Sequence, residues 1–66
     1  MSATTEALQL AVNILGDKQE DARAVHDANK ASGASPESLA FDAGRYDGLK
    51  EARNIILALL EANGRA

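Results

Sequence analysis

The chain has 66 residues, no cysteine, a single histidine and a formal net charge of −3. Disulfides and thiolate zinc sites are therefore excluded. A domain this small buries only about 60% of the surface of its unfolded chain, so its stability usually depends on such cross-links or on a partner subunit. Hydrophobic residues make up 45% of the chain and aromatic residues 3%, so the apolar side chains are mainly aliphatic, as in packed helices.

The first predicted helix runs from about residue 4 to about residue 31. It begins near Thr4 or Thr5, with Glu6 in the first turn, where the helix dipole favours an acid. Apolar residues follow at helical spacings of three, four and seven: Leu8, Ala11, Val12, Leu15, Ala22, Val25 and Ala28. A break at Gly16 would give three helices instead, but no proline or turn cluster accompanies this glycine.

The predicted turn covers residues 32–35 and has a strong signature in the sequence. Gly33 can adopt the left-handed conformation that ends a helix. Ser35 can cap the next helix, and Pro36 suits its first position. These residues therefore predict one helix ending and another beginning within a few positions.

The second predicted helix runs from residue 36 to about residue 62, where Asn63 and Gly64 can close it. Its apolar positions are Leu39, Ala43, Tyr46, Leu49, Ala52, Ile55, Ile56 and Leu59. So short a connection makes the two helices antiparallel. Residues 1–66 are thus predicted to be a single all-α domain, an antiparallel helical hairpin. Folding about the turn pairs Leu8 with Leu59, Val12 with Ile55, Leu15 with Ala52, and Ala28 with Leu39.

Two helices cannot enclose a core, so we expect self-association into a four-helix or larger bundle, as a homodimer or higher oligomer. The residues predicted to form the oligomer interface are Leu10, Ile14, Ile56, Leu57 and Leu60. A monomer would leave several of these side chains in water as an apolar patch.

The segment DAGRYDGLKEA, residues 42–52, contains two glycines four positions apart, although each costs a helix about 1 kcal/mol relative to alanine. One interpretation is close packing, with the glycines opposite Gln19 and Ala22. A second is contact with a partner protein. A third is a shallow groove where a ligand stacks on tyrosine and a cation holds its anionic group. The partner- or ligand-binding candidates are Phe41, Gly44, Arg45, Tyr46, Gly48 and Lys50.

Other function classes find little support in the sequence. Nucleophilic catalysis is not expected, because cysteine is absent and the serines lie near caps and the turn, so we predict neither an enzyme nor a cofactor. One histidine makes a metal site improbable. The basic residues Lys30, Arg45, Lys50, Arg53 and Arg65 are interleaved with acids, which argues against nucleic-acid binding. Without a long apolar run or a signal peptide, we expect no membrane segment and a cytoplasmic location.

The segment FDAGRYDGLKEARNIILALLE resembles the closing helix of many very small phage-encoded helical proteins. Phe41, Gly44, Gly48 and Glu51 occupy an aromatic–x–x–Gly–x–x–x–Gly–x–x–Glu pattern followed by an aliphatic run. The resemblance implies a phage or mobile-element origin and carries no catalytic residues. The expected function is that of a small oligomeric interaction protein, a phage-type accessory factor that binds a host or virion protein through a helix face. The alternatives are an oligomeric binder of a nucleotide-like ligand at the Gly44/Gly48 groove, and a virion structural subunit.

Overall fold

The computed structural model describes residues 2–64, which form two α helices packed as a hairpin. Helix α1 spans Ala3–Ala31 and helix α2 spans Pro36–Gly64, with 29 residues in each. The molecule measures 49 × 14 × 11 Å between Cα atoms. The predicted all-α hairpin is confirmed for the described residues, and the basic residue Arg65 lies outside them.

Helix α1 begins two residues earlier than Thr5, because Ser2 is its N-cap. The Ser2 hydroxyl oxygen accepts a hydrogen bond from the Thr5 backbone N–H at 3.1 Å, which satisfies one of the donors left open at a helix start. Helix α1 then continues through Gly16, so the alternative with three helices is not adopted. A Cβ placed on Gly16 would lie 3.5 Å from Nε of Arg53 on α2.

The turn between the helices has the conformation that its residues predict. Gly33 has a φ of +79°, and the Ala34 N–H donates to the carbonyl of Asn29 at 2.9 Å. The Ser35 hydroxyl accepts from the Ser38 N–H at 3.2 Å and so caps α2. The predicted helix end and the predicted cap are both confirmed.

The packing surface between the helices follows a heptad pattern, with spacings that alternate between three and four residues. We call these positions the seam, and each of them is buried or half-buried. On α1 the seam consists of Thr5, Leu8, Val12, Leu15, Gln19, Ala22, His26 and Asn29. On α2 it consists of Leu39, Asp42, Tyr46, Leu49, Arg53, Ile56 and Leu60. The hairpin is thus a two-stranded antiparallel coiled coil within one chain.

The seam is thin and changes in character along its length. Among the described residues, the fully buried apolar side chains are Val12, 5% exposed, and Ala22, 1% exposed. Nearer the chain ends the seam is aliphatic, whereas nearer the turn it includes Asn29 and Asp42. The Asn29 amide donates to the Asp42 carboxylate at 2.7 Å in a partly buried hydrogen bond across the hairpin.

The observed register differs from the expected pairing by two to four residues. Ala28 was expected opposite Leu39, but the hydrogen bond between Asn29 and Asp42 and the approach of the Arg53 side chain to Gly16 place α2 further along. The sequence-based pairing assumed that the apolar residues alone align the helices. A polar contact is made instead at the turn end of the seam.

The structure also corrects the prediction of which side of α2 faces α1. Ile55 and Leu59 were expected to face α1, yet they are 55% and 46% exposed. Ile56 and Leu60 occupy the seam in their place. Residues 55–60 are apolar on nearly all sides of α2, so hydrophobicity there does not select one packing face. The heptad spacing through the rest of α2 selects it.

Candidate interaction face

The large apolar side chains that the seam leaves out remain exposed in this chain. They are Leu10, Ile14, Val25, Phe41, Ile55 and Leu59. Phe41 is 73% exposed and Leu10 is 60% exposed. Singly exposed apolar residues are common on proteins, so the spatial arrangement of these six decides whether they form a site.

Their arrangement follows from the seam. Successive helical residues are rotated by about 100°, so the residues immediately before seam positions all lie on one flank of a helix. Two antiparallel helices are approximately related by a two-fold axis perpendicular to the plane that contains both. This rotation exchanges the helices but leaves each side of the plane on itself, so the preceding flank of α1 and that of α2 belong to the same face of the molecule. Ile14 and Val25 precede seam residues on α1, and Phe41, Ile55 and Leu59 precede them on α2.

We call this side of the hairpin the apolar face. Its residues are Thr4, Ala7, Ala11, Ile14, Lys18, Asp21, Val25, Ala28, Ser38, Phe41, Arg45, Gly48, Ala52, Ile55 and Leu59. Leu10, two residues after the seam residue Leu8, lies on the outer edge of α1, at neither flank of the seam. Three charged residues interrupt the face, namely Lys18, Asp21 and Arg45.

The residues immediately after seam positions form the opposite side, which we call the polar face. They are Glu6, Gln9, Asn13, Gly16, Glu20, Arg23, Asp27, Lys30, Ala40, Ala43, Asp47, Lys50, Asn54, Leu57 and Glu61. Leu57, which is half-buried, is its one large aliphatic residue. The hairpin as a whole is therefore amphipathic.

The polar face carries an open depression of about 290 Å³, lined by Arg23, His26, Ala43, Tyr46 and Asp47. Tyr46 is half-buried in the seam and lines this depression rather than a groove beside the two glycines of α2. His26 Nδ1 lies 3.8 Å from Oδ1 of Asp27, close enough for an ion pair when the imidazole is protonated. Residues 2–64 contain no group of three His, Cys, Asp or Glu side chains arranged to hold a metal ion.

The structure separates the predicted partner- or ligand-binding residues. Phe41, Arg45 and Gly48 lie on the apolar face, Tyr46 lies in the seam, and Lys50 lies on the polar face. Gly44 lies on the outer edge of α2, at neither flank of the seam. These residues therefore do not form one pocket.

The structure contradicts the expectation that the two glycines pack closely against α1 within the hairpin. A Cβ added at Gly44 or at Gly48 would meet no atom within 4 Å, and both glycines are exposed. They do not face Gln19 and Ala22 because the seam runs along a different side of α2 from the one expected. If Gly48 allows a neighbouring group to come close to α2, that group belongs to another molecule.

The predicted oligomer-interface residues are also divided. Leu10 and Ile14 are exposed, as expected. Ile56 and Leu60 lie in the seam and Leu57 lies on the polar face, all three half-buried. Val25, Ile55 and Leu59 are exposed residues that the sequence reasoning did not assign to the interface. A strict heptad repeat that is continued through polar residues such as Gln19 and His26 places these three residues outside the seam and would have identified them as exposed.

Neither helix within residues 2–64 combines the length and the apolar character needed to cross a membrane. Comparisons of the chain with protein-family models, with curated proteins and with solved structures found no match.

Proposed function

We propose that the protein is a small oligomeric interaction protein that acts through helix-to-helix contacts made by its apolar face. One observation carries this proposal: five of the six large exposed apolar side chains lie on one face, while the hairpin buries only Val12 and Ala22 among the described apolar residues. Covering one large apolar side chain contributes about 1.5–3 kcal/mol, so several of them together can drive association.

The kind of partner follows from the shape of the face. A long, shallow surface with apolar side chains at helical spacings fits another helix or helix pair. The resemblance of residues 41–61 to small phage-encoded proteins supports a phage-type accessory factor that binds a host or virion protein. A virion structural subunit is the variant of this proposal in which association continues into large assemblies.

A binding role for a small ligand is the second candidate, and the polar-face depression favours it. Tyr46 offers a ring for stacking, and Arg23 and His26 offer donors for an anionic group. This site differs from the Gly44/Gly48 groove suggested by the sequence. A thermal shift with a panel of nucleotides, abolished by Arg23→Ala and retained in Gly48→Ala, would support it.

Size-exclusion chromatography with light scattering tests the proposed function, using charge substitutions on the two faces. Ile55→Glu places a carboxylate on the apolar face, whereas Asn54→Glu places the same side chain one residue earlier, on the polar face. We expect the wild type and Asn54→Glu to form the same oligomer and Ile55→Glu to dissociate. Circular dichroism of each variant measures how much helix it retains.

The same experiment contradicts the proposal if the wild type is an oligomer that Ile55→Glu does not dissociate. Particles of unlimited size would favour the virion structural subunit, because a closed oligomer has one mass. A pull-down with the wild type and both variants then asks whether a captured protein is lost with Ile55→Glu alone.

A further inference from the structure

The proposed function leaves the occupant of the apolar face unspecified, and the following inference rests on that function. We propose that the occupant is a second copy of this chain, packed face to face with both turns at the same end. In this four-helix bundle, α1 of each copy lies on α2 of the other. Val25 of one copy then packs over Gly48 of the other.

The area of the face suits a dimer. The hairpin is 49 Å long and 14 Å wide between Cα atoms, a footprint on the order of 700 Å² per copy before side chains are counted. Standard stable interfaces bury about 800 Å² per partner. A single helix laid on the face would cover only part of this width, whereas a second hairpin matches it.

The distribution of large side chains along the face selects the orientation. Counting from the pair Asn29 and Asp42, Ile55 and Leu59 lie level with about residues 16 and 12 of α1. They therefore share one half of the face with Ile14. With the turns at the same end, this bulky half packs on the bulky half of the second copy, and Ile14 falls between the levels of Leu59 and Ile55.

The half nearer the turn fits the same arrangement. By the same count Gly48 lies level with about residue 23 of α1, within one turn of Val25. The open space at Gly48, where a Cβ would meet no atom, then receives the Val25 side chain of the second copy. Phe41 lies level with about residue 30 of α1 by this count, within one turn of Ala28, a small residue on the facing α1.

Charge disfavours the opposite orientation. With the turns at opposite ends, α2 lies on α2, and Arg45 of each copy lies against Ile55 and Leu59 of the other. A guanidinium covered by apolar side chains without a partner is costly. With the turns at the same end, Arg45 lies level with about residue 26 of the facing α1, beside Val25 and Ala28, and the Asp21 carboxylate is about one and a half turns away on the same face.

A distance measurement between the two turns tests the orientation. Because the chain has no cysteine, Ser32→Cys introduces a single site for a spin label on the exposed turn, away from the apolar face. We expect a dimer by light scattering and a distance between labels well below half of the 49 Å molecular length. A distance close to the full length would overturn the same-end arrangement.

A second test addresses the contact between Val25 and Gly48. Gly48→Val should raise the dissociation constant of the dimer about tenfold by overfilling the space, and Val25→Ala in the same chain should restore much of the affinity. Gly44→Val is the matched control, since it adds the same side chain to α2 outside the apolar face. Equal effects of the two valine substitutions would overturn this contact.

The outcomes separate this inference from the function on which it rests. A monomer that binds another protein through Ile55 overturns the dimer and the oligomeric part of the proposed function, and leaves the interaction with a partner protein standing. A dimer that Ile55→Glu does not disturb overturns both.

Discussion

Gly44 is the residue for which the structure provides no packing reason. A Cβ at this position would meet no atom within 4 Å, and the glycine lies inside a regular helix. We therefore expect Gly44→Ala to raise the free energy of unfolding by up to about 1 kcal/mol, because alanine restricts the unfolded chain and favours the helix. Urea unfolding followed by circular dichroism measures this change.

Gly33→Ala is the control for Gly44→Ala, because the same change is made at a glycine whose backbone conformation disfavours a side chain. Its φ of +79° lies in the left-handed region, where a side chain costs about 1–2 kcal/mol. Gly33→Ala should therefore destabilise the hairpin although it too has open space around it. Destabilisation by Gly44→Ala would show that the outer edge of α2 is in contact with another molecule.

The hydrogen bond between Asn29 and Asp42 is the polar contact that fixes the register. Its donor and acceptor are 2.7 Å apart and partly buried, and the acceptor is a carboxylate. We expect a double-mutant cycle with Asn29→Ala and Asp42→Ala to give a coupling energy of about 1 kcal/mol or more. The exposed pair Gln9 and Asn13, which are 3.1 Å apart within α1, should give only a few tenths by the same method.

At the scale of elements, the start of α2 depends on one side chain. The Ser35 hydroxyl accepts from the Ser38 N–H, so Ser35→Ala should cost about 1 kcal/mol of unfolding free energy. Ser35→Asp retains an acceptor and should remain close to the wild type. Thermal unfolding of the three proteins at equal concentration checks this, and equal losses for both variants would contradict a capping role.

The bounds of the helices could be predicted because local residues encode them. Gly33, Ser35 and Pro36 act within a few positions of themselves, and the structure confirms their roles. The start of α1 was less certain from sequence because Ser2, Thr4 and Thr5 can all cap a helix, and Ser2 is the one that does.

The rotation and register of the helices could not be predicted from hydrophobicity. Residues 55–60 offer apolar side chains on nearly every side of α2, and the seam passes through Gln19, His26 and Asp42, which no apolar pattern includes. An error of one residue in rotation exchanges Ile55 for Ile56. The fold was therefore predicted correctly, whereas the division of residues between seam and exposed face was not.

At the scale of the whole molecule, the small core makes folding and association one process. An isolated hairpin with two fully buried apolar residues among those described has little to offset its chain entropy. We expect the unfolding midpoint to rise with protein concentration, because each tenfold increase adds about 1.4 kcal/mol per mole of dimer to the free energy of unfolding. Thermal melts of the wild type and Asn54→Glu over a wide concentration range should show this rise.

Ile55→Glu supplies the contrast in the same melts. Its midpoint should be low and independent of concentration, because the monomer no longer gains from association. A wild-type midpoint that does not change with concentration would mean that the hairpin is stable alone.

The position of Tyr46 has a practical consequence for such experiments. It is the single tyrosine, and the chain has no tryptophan, so its phenol dominates near-ultraviolet absorption and emission. Because Tyr46 lies half-buried in the seam and lines the same depression as Arg23 and His26 of α1, its fluorescence reports the closure of the hairpin. The apolar face, lying on the other side of the seam, contains no competing fluorophore of comparable strength. Emission from Tyr46 can therefore follow the pairing of the two helices without any attached dye.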